Sequence, residues 1–422
     1  IGSLTTTGAQ TGILELINIR RHAGGSFENG DTLTLWDAAG GWDDAAIVIG
    51  DELVPDVTIA ELGESWSVPQ FGLVKTTDSD TDGTAVLFIG GGYSEYNAAG
   101  RAVVAVNVFT GDVVRKFTDV TTYTTDIAHT TDTNIYYSVP STVKVIDEDN
   151  NGFVDKVYVG DLGGQLWRIG QVSFDSGGAA LSFPDCDENI NNWTGQILFA
   201  APTYDVDAVT YRRKFFYPPS VTLEHGYDLV FIGTGDRKAA CDTTTGADRI
   251  YGIKDTHGST TLTETDLVDV TDPAAALPDL DSNDQGWYIA LVDQGEKVLA
   301  KSTVFYKTLY ITTFTPNNHP CLPGGEGRLY AVDYKIGGAV LFVGSDIDGD
   351  GNADLTRSVA IGGGIPSKPV MVVTKTSRKL LISIGSTTPE ATSEVLDAGV
   401  IRIDPLGPTK NFFFLWWRQL FS

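Results

Sequence analysis

Five times along this chain, an apolar run ending in glycine or another small residue is followed by a second run that stops near an acid. The pairs are Ala85-Val-Leu-Phe-Ile-Gly-Gly-Gly92 with Val103-Val-Ala-Val-Asn-Val-Phe-Thr-Gly111, and Lys156-Val-Tyr-Val-Gly-Asp161 with Gly164-Gln-Leu-Trp-Arg-Ile169. They continue with Asp228-Leu-Val-Phe-Ile-Gly-Thr-Gly235 and Arg249-Ile-Tyr-Gly-Ile-Lys-Asp255, then Leu309-Tyr-Ile-Thr-Thr-Phe314 and Arg328-Leu-Tyr-Ala-Val-Asp333. The last pair is Lys379-Leu-Leu-Ile-Ser-Ile-Gly385 and Val400-Ile-Arg-Ile-Asp404. Runs this short, rich in Val, Ile, Tyr and Phe and separated by Gly, Asp, Asn and Pro, are strands rather than helices. A unit that returns at a fixed interval cannot bury its faces alone and must stack against its neighbours.

Each pair follows a segment marked by Ser or Pro: Ser67-Val-Pro69, Ser138-Val-Pro140, Pro218-Pro-Ser220, Ser302-Thr-Val304 and Pro366-Ser-Lys-Pro369. This order fits a four-stranded blade with an innermost strand at the axis, two middle strands between neighbouring blades, and an outer strand. The expected fold is therefore an all-β β-propeller over residues 63–422, with five recognisable blades and five to seven in total. Successive units lie roughly 70–80 residues apart, against ~40–50 for compact blades, so several loops are long. Residues 1–62 fall outside the repeat. Their runs Gly12–Ile19 and Asp31–Trp36 read as a small β accessory element, or the remnant of a longer N-terminal region. The segment Asn411–Phe421 is too apolar for a free tail and reads as a terminal strand completing a blade, or as an exposed stripe that binds a partner. A chain that starts at Ile1 with neither methionine nor leader reads as a processed or truncated product.

With 55 acidic against 29 basic residues the net charge is −26, a field that repels nucleic acid and anionic lipid and attracts cations. No run approaches the ~20 apolar residues of a membrane span. Cys186, Cys241 and Cys321 are odd in number and lack C-x-x-C spacing, which leaves either buried thiols or one disulfide with a free thiol in an oxidising compartment. The five histidines are scattered, none at metal-ligand spacing from another.

Two acidic loops stand out. Asp147-Glu-Asp149-Asn-Asn151-Gly152-Phe153-Val-Asp155 places oxygen side chains at positions one, three, five and nine, with glycine at six, where a tight loop needs a left-handed backbone. A hard cation such as Ca2+ takes six to eight oxygens from a loop curled around it, and here the side chains and the Phe153 carbonyl at position seven are candidate ligands. Tyr158 replaces the glutamate that closes a full EF-hand, so water or a neighbour must complete the shell. Asp346-Ile-Asp348-Gly-Asp350-Gly-Asn-Ala-Asp354 repeats the spacing with four aspartates, and its position twelve is Arg357. Acids this crowded repel one another without a cation. The shorter copies at Asp78–Gly83 and Asp279–Asn283 read as solvated loops. The chain has no G-x-S-x-G elbow, no H-E-x-x-H pair and no P-loop, and the expectation is that it is not an enzyme.

Asp147 through Arg168, a calcium-type loop running into Val-Tyr-Val-Gly-Asp-Leu-Gly-Gly-Gln-Leu-Trp-Arg, resembles the PilC/PilY family of type IV pilus tip-associated proteins. Further pieces resemble it in the same order: Phe88–Tyr93, Leu229–Gly235, Thr312–Pro316, Cys321–Tyr330 and Trp417-Arg418. The likeness covers roughly residues 64–422. It implies a modified propeller at the C-terminal end of a larger protein, exported through the periplasm to the cell surface and pilus tip. It also implies Ca2+ at Asp147, Asp149, Asn151 and Asp155, tuning pilus extension against retraction and so twitching motility, with type IV pilins or minor pilins and surface or host ligands as partners. The large N-terminal region of the family has no counterpart here, and the Asp346 loop departs from the family pattern. Two other readings stay open: a quinone-dependent dehydrogenase propeller, which would need an adjacent cysteine pair, and a secreted calcium-stabilised scaffold or lectin.

Overall fold

The computed structural model describes residues 32–36, 42–48, 62–118, 135–172, 186–243, 247–280, 283–317, 324–342, 355–374, 377–385, 394–396 and 400–403. The chain divides into two compact units, residues 1–59 and 60–422. In the first, strands Thr32–Trp36 and Trp42–Val48 pair antiparallel as a hairpin.

In the second unit, five antiparallel sheets of four principal strands follow one another along the chain. Gln70–Val74, Thr84–Gly90, Ala102–Asn107 and Val113–Thr118 form the first, and Lys144–Ile146, Lys156–Gly160, Gln165–Val172 and Gly195–Ala200 the second. Ser220–Glu224, Tyr227–Gly233, Arg249–Asp255 and Gly286–Ala290 build the third. The fourth has Thr303–Phe305, Thr308–Pro316, Gly325–Asp333 and Ser358–Gly363, and the fifth Val370–Val373, Arg378–Ser383, Val400–Ile403 and Glu394–Leu396. Each apolar pair singled out in the sequence supplies the second and third strands of one sheet. The Ser/Pro segments mark the approach to the innermost strand, or its first residues. Among the described residues, helix is confined to two single turns, Ile190–Asn192 and Glu264–Asp266. No helix among the described residues is long and apolar enough to cross a membrane.

The second strands of the second, third and fourth sheets are buried on both faces because a neighbouring sheet covers each face. Side chains alternate across a strand, and here the alternation deals them to two cores. Val157 and Val159 join Val86, Phe88, Trp167 and Trp193 between the first and second sheets. Tyr158 points the other way, to Phe199, Val230, Ile232 and Tyr251 between the second and third. Leu229 and Phe231 pack with Leu309 and Ile311, while Tyr310 packs with Leu380 and Ile382. Four such cores join five sheets in chain order. That is propeller packing, and it explains why these runs read as continuous apolar rather than alternating. The outer edge of the second sheet is covered by Leu262–Thr263, which pairs parallel to Phe199–Ala200, so it is not left as a free template for another strand.

Hydrogen bonds also tie the innermost segments together. Val68 N donates to Thr142 Oγ1 at 3.0 Å, Ser220 Oγ to Ser302 O at 2.9 Å, and Thr303 Oγ1 to Pro369 O at 2.7 Å. The triple glycine Gly90–Gly92 serves packing. Gly92 has φ +103°, and a Cβ there would lie 2.4 Å from the Glu64 carbonyl oxygen.

A candidate metal centre and the charge network beside it

Residues 147–155 connect Lys144–Ile146 to Lys156–Gly160 in the second sheet. The loop closes through Asp155 N, which donates to Ile146 O at 3.0 Å, and through Val154 N, which donates to Leu73 O of the first sheet at 2.8 Å. Gly152 turns it with φ +99°, a conformation that costs a residue with a Cβ. The carboxylates of Asp147, Asp149 and Asp155 each bring an oxygen within 4.8 Å of the others.

The loop's own amides hold part of this oxygen cluster. Asn151 N donates to Asp147 Oδ1 and Asp149 Oδ1, both at 3.1 Å, Gly152 N to Asp147 Oδ2 at 2.9 Å, and Phe153 N to Asn151 Oδ1 at 2.8 Å. Asp155 differs from the rest. It is buried, its Oδ2 accepts from Glu148 N at 2.6 Å, and its Oδ1 has no hydrogen-bond partner. Burial first, then the charges of Asp149, Asp147 and Glu188, push its carboxyl up to about 7. A buried acceptor left bare beside two more carboxylates is costly, and a bound cation would remove that cost.

Glu188 belongs to this cluster although no spacing in the sequence points to it. Its Oε1 accepts from Asn151 Nδ2, and its other oxygen pairs with Lys75. Lys75 N donates to Glu188 O at 2.9 Å, and the Lys75 ammonium lies 4.8 Å from the centre of the Phe153 ring. The loop is thereby pinned against the first sheet. The shorter acidic stretch nearby is a turn: Asp80 Oδ1 accepts from Gly83 N at 2.9 Å. The four aspartates of the second loop, Asp346, Asp348, Asp350 and Asp354, lie outside the described residues, as do Cys321 and the Asn411–Phe421 segment. Cys241 is an exposed free thiol.

On the other side of the strand, Lys156 enters a buried network between the second and third sheets. Its ammonium pairs with Glu148 and lies 2.6 Å from Asp228 Oδ2 and 2.5 Å from His257 Nε2. The Tyr158 hydroxyl lies 2.7 Å from both Asp228 Oδ2 and Asp255 Oδ2, and Arg168 Nη1 pairs with Asp255 Oδ1 at 2.5 Å. Burial alone would raise the Asp228 carboxyl, but the His257 hydrogen bond and the Lys156 charge hold it well below its usual range. Burial likewise opposes the Lys156 charge, and Asp228 and Glu148 overcome it and keep its pKa raised. Glu148, Asp228 and His257 could be mistaken for a metal triad. The ammonium of Lys156 already serves as their cation.

Residues 48–271 match the sequence model of the PilY1 beta-propeller domain. The chain belongs to the PilY1 β-propeller family. The match begins ahead of residue 64, where the resemblance was expected to start, and it contains the Asp147 loop and the Lys156 network. Among curated relatives, a type IV pilus biogenesis factor PilY1 homolog of Xylella fastidiosa is 27% identical over 379 residues, covering 80% of this chain and 25% of that protein. The type IV pilus biogenesis factor PilY1 of Pseudomonas aeruginosa is 26% identical over 322 residues, 65% of this chain and 26% of its own length. The chain thus spans about a quarter of the length of these relatives. The crystal structure of the Pseudomonas aeruginosa PilY1 C-terminal domain superposes with a TM-score of 0.53 at 19% identity, over 76% of this chain and 71% of that one. At that identity the likeness speaks for the fold, and it agrees with the five stacked sheets.

Proposed function

We propose that this chain is the calcium-binding propeller of a type IV pilus biogenesis factor, acting at the cell surface by binding partners rather than by turnover. The observation that carries the calcium reading is Asp155: a buried carboxylate with a bare oxygen, within 4.8 Å of two further aspartates. Asp147, Asp149, Asn151, Asp155 and the Phe153 carbonyl would hold Ca2+, with Glu188 adding charge from outside the loop. The Asp346 loop is a second candidate by its spacing. The pilus role rests on the relatives, which are named as pilus biogenesis factors. Its partners would be pilins or minor pilins at the pilus tip, with adhesion and control of extension against retraction as the outcome. A quinone-dependent dehydrogenase has less support, because Cys186, Cys241 and Cys321 are far apart in the sequence.

The test is calorimetry on protein in which Asp346, Asp348 and Asp350 are replaced by alanine. Calcium is expected to bind with a measurable heat and to raise the melting temperature. At a hundredfold excess over Kd, the added stability is about 2.7 kcal/mol. Asp155→Ala in that background should abolish both effects, and absence of heat in the parent would refute the site. In cells, Asp155→Ala should change pilus number and twitching. Normal piliation with calcium binding lost would leave the metal structural and refute the regulatory part.

A further inference from the structure

At the end of the second unit where the innermost strands begin, segments from all five sheets surround one cavity of about 810 Å3, open to solvent. Its wall includes Gln70 of the first sheet, Thr142 ahead of the second, Tyr217 ahead of the third, Lys301 ahead of the fourth and Lys368 ahead of the fifth. A cavity walled by the entry segments of all five sheets lies where those sheets converge, on the propeller axis.

Its charge is opposite to that of the chain. The lining contains Arg237, Lys301 and Lys368 and no carboxylate, in a protein of net charge −26. None of the three makes an ion pair among the described residues. Lys144, first residue of its strand, adds a fourth cation close enough to Lys301 to be felt there: burial, then Lys144 and Lys368, lower the Lys301 pKa, and no acid opposes them. Elsewhere, Lys156, Arg168 and Lys214 pair with carboxylates, and the buried Lys254, Lys297 and Arg213 donate to backbone carbonyls. Like charges gathered without counterions cost stability, and that cost is recovered when an anion binds.

We propose that the axial cavity binds an acidic peptide segment of a partner protein. The cations stand on different sheets around the axis, so a ligand that meets them needs several negative charges spaced along its length, which a single compact anion lacks. Between the cations the wall presents Leu299, Ile365, Ile384 and Tyr217 beside the hydroxyls of Thr142, Ser367 and Ser383, so aliphatic side chains and backbone amides of a peptide both find partners there. Gln70 is the single amide, and there is no carboxylate to accept the hydroxyls of a sugar. Recognition of acidic motifs by clustered cations is a general mode of peptide binding, and the volume lies within the range of about 300–1,000 Å3 of ligand pockets.

The probe is a fluorescein-labelled hexaglutamate peptide, titrated into the whole chain and followed by anisotropy. Saturable binding at one site per chain is expected, weakening as salt rises, with a hexaglutamine peptide failing to bind. Lys301→Gln and Lys368→Gln should each weaken binding by about tenfold or more, since each removes a charge-assisted contact. Lys307→Gln, in an exposed turn, should leave it unchanged. Both cavity variants remove mutual repulsion, so their melting temperatures should not fall. The salt dependence of the unaltered chain provides a readout that needs no variant. Failure of hexaglutamate to saturate, or undiminished binding in the Lys301→Gln and Lys368→Gln proteins, overturns the proposal. So does displacement by inorganic phosphate at peptide-like concentrations, which would mean a simple anion site. Tighter binding of an oligogalacturonate than of the peptide would make the ligand a glycan and overturn it equally.

Discussion

Asp155 closes the acidic loop and Lys156 opens the strand that follows it, yet the two side chains enter different sites: the carboxylate lies with Asp147 and Asp149, and the ammonium lies 2.6 Å from Asp228 Oδ2 of the third sheet. Tyr158, two residues further along the strand, shares the face of Lys156 and reaches the same network, as period-two alternation requires. The loop is also bonded to the first sheet through Val154 and Leu73. A change in the loop therefore has short physical routes to both neighbouring blades.

Lys156→Met should be strongly destabilising. It leaves Glu148 and Asp228 buried without their cation, and breaking a buried pair in this way costs about 3–5 kcal/mol. The urea midpoint is expected to fall accordingly. Adding Asp228→Asn to Lys156→Met should restore part of the loss, because one stranded charge is removed. A loss below about 1 kcal/mol for the single variant would show that the network relaxes or admits water.

Stability should depend on pH in opposite ways with and without calcium. The Asp155 carboxyl rises from 3.8 to about 7 in the folded chain. In chelator, the folded state then binds one more proton than the unfolded state between those values, so stability from this group is full below about 4 and is lost as pH rises through about 7. Calcium binds the ionised form, so its affinity should climb over the same interval. Melting temperatures from pH 4 to 8, in EDTA and in calcium, test both slopes. Asp155→Asn should flatten the EDTA curve.

Glu188 should tune the metal site through charge. Glu188→Gln is expected to weaken calcium severalfold, and Lys75→Met to strengthen it, because one removes negative and the other positive charge beside the loop. Both effects should shrink as salt rises. Equal effects of the two variants, in the same direction, would mean that they act by deforming the loop.

Asp161→Asn should destabilise the second sheet by about 1–3 kcal/mol. Asp161 is buried, with Oδ1 accepting from Gly163 N and Gln165 N and Oδ2 accepting from the Trp167 indole at 2.8 Å. An amide cannot present acceptors to both sides, so either the indole N–H or the turn loses its bond. Trp167 fluorescence in the variant, with a urea titration, checks this.

The five paired runs, their order and the nine-residue spacing of the acidic loop were legible along the chain. Each is written in neighbouring residues: a strand is a local apolar run, and an acidic loop is a local succession of oxygens around a glycine. Lys156 read only as the first residue of an apolar run, and period-two alternation puts it on the face of Tyr158. What lies at the other end of that ammonium was not legible. Asp228 and His257 are 72 and 101 residues away, and no spacing rule links them. Glu188 joins the loop for the same reason, carried there by a segment of the second sheet packed on Lys75. The axial cavity is the extreme case. Arg237, Lys301 and Lys368 are unremarkable basic residues in an acidic chain until five blades stack around one axis and bring them to a common wall. Stacking joins residues by their place in the blade rather than by their distance along the chain, so only the tertiary structure could decide what they face.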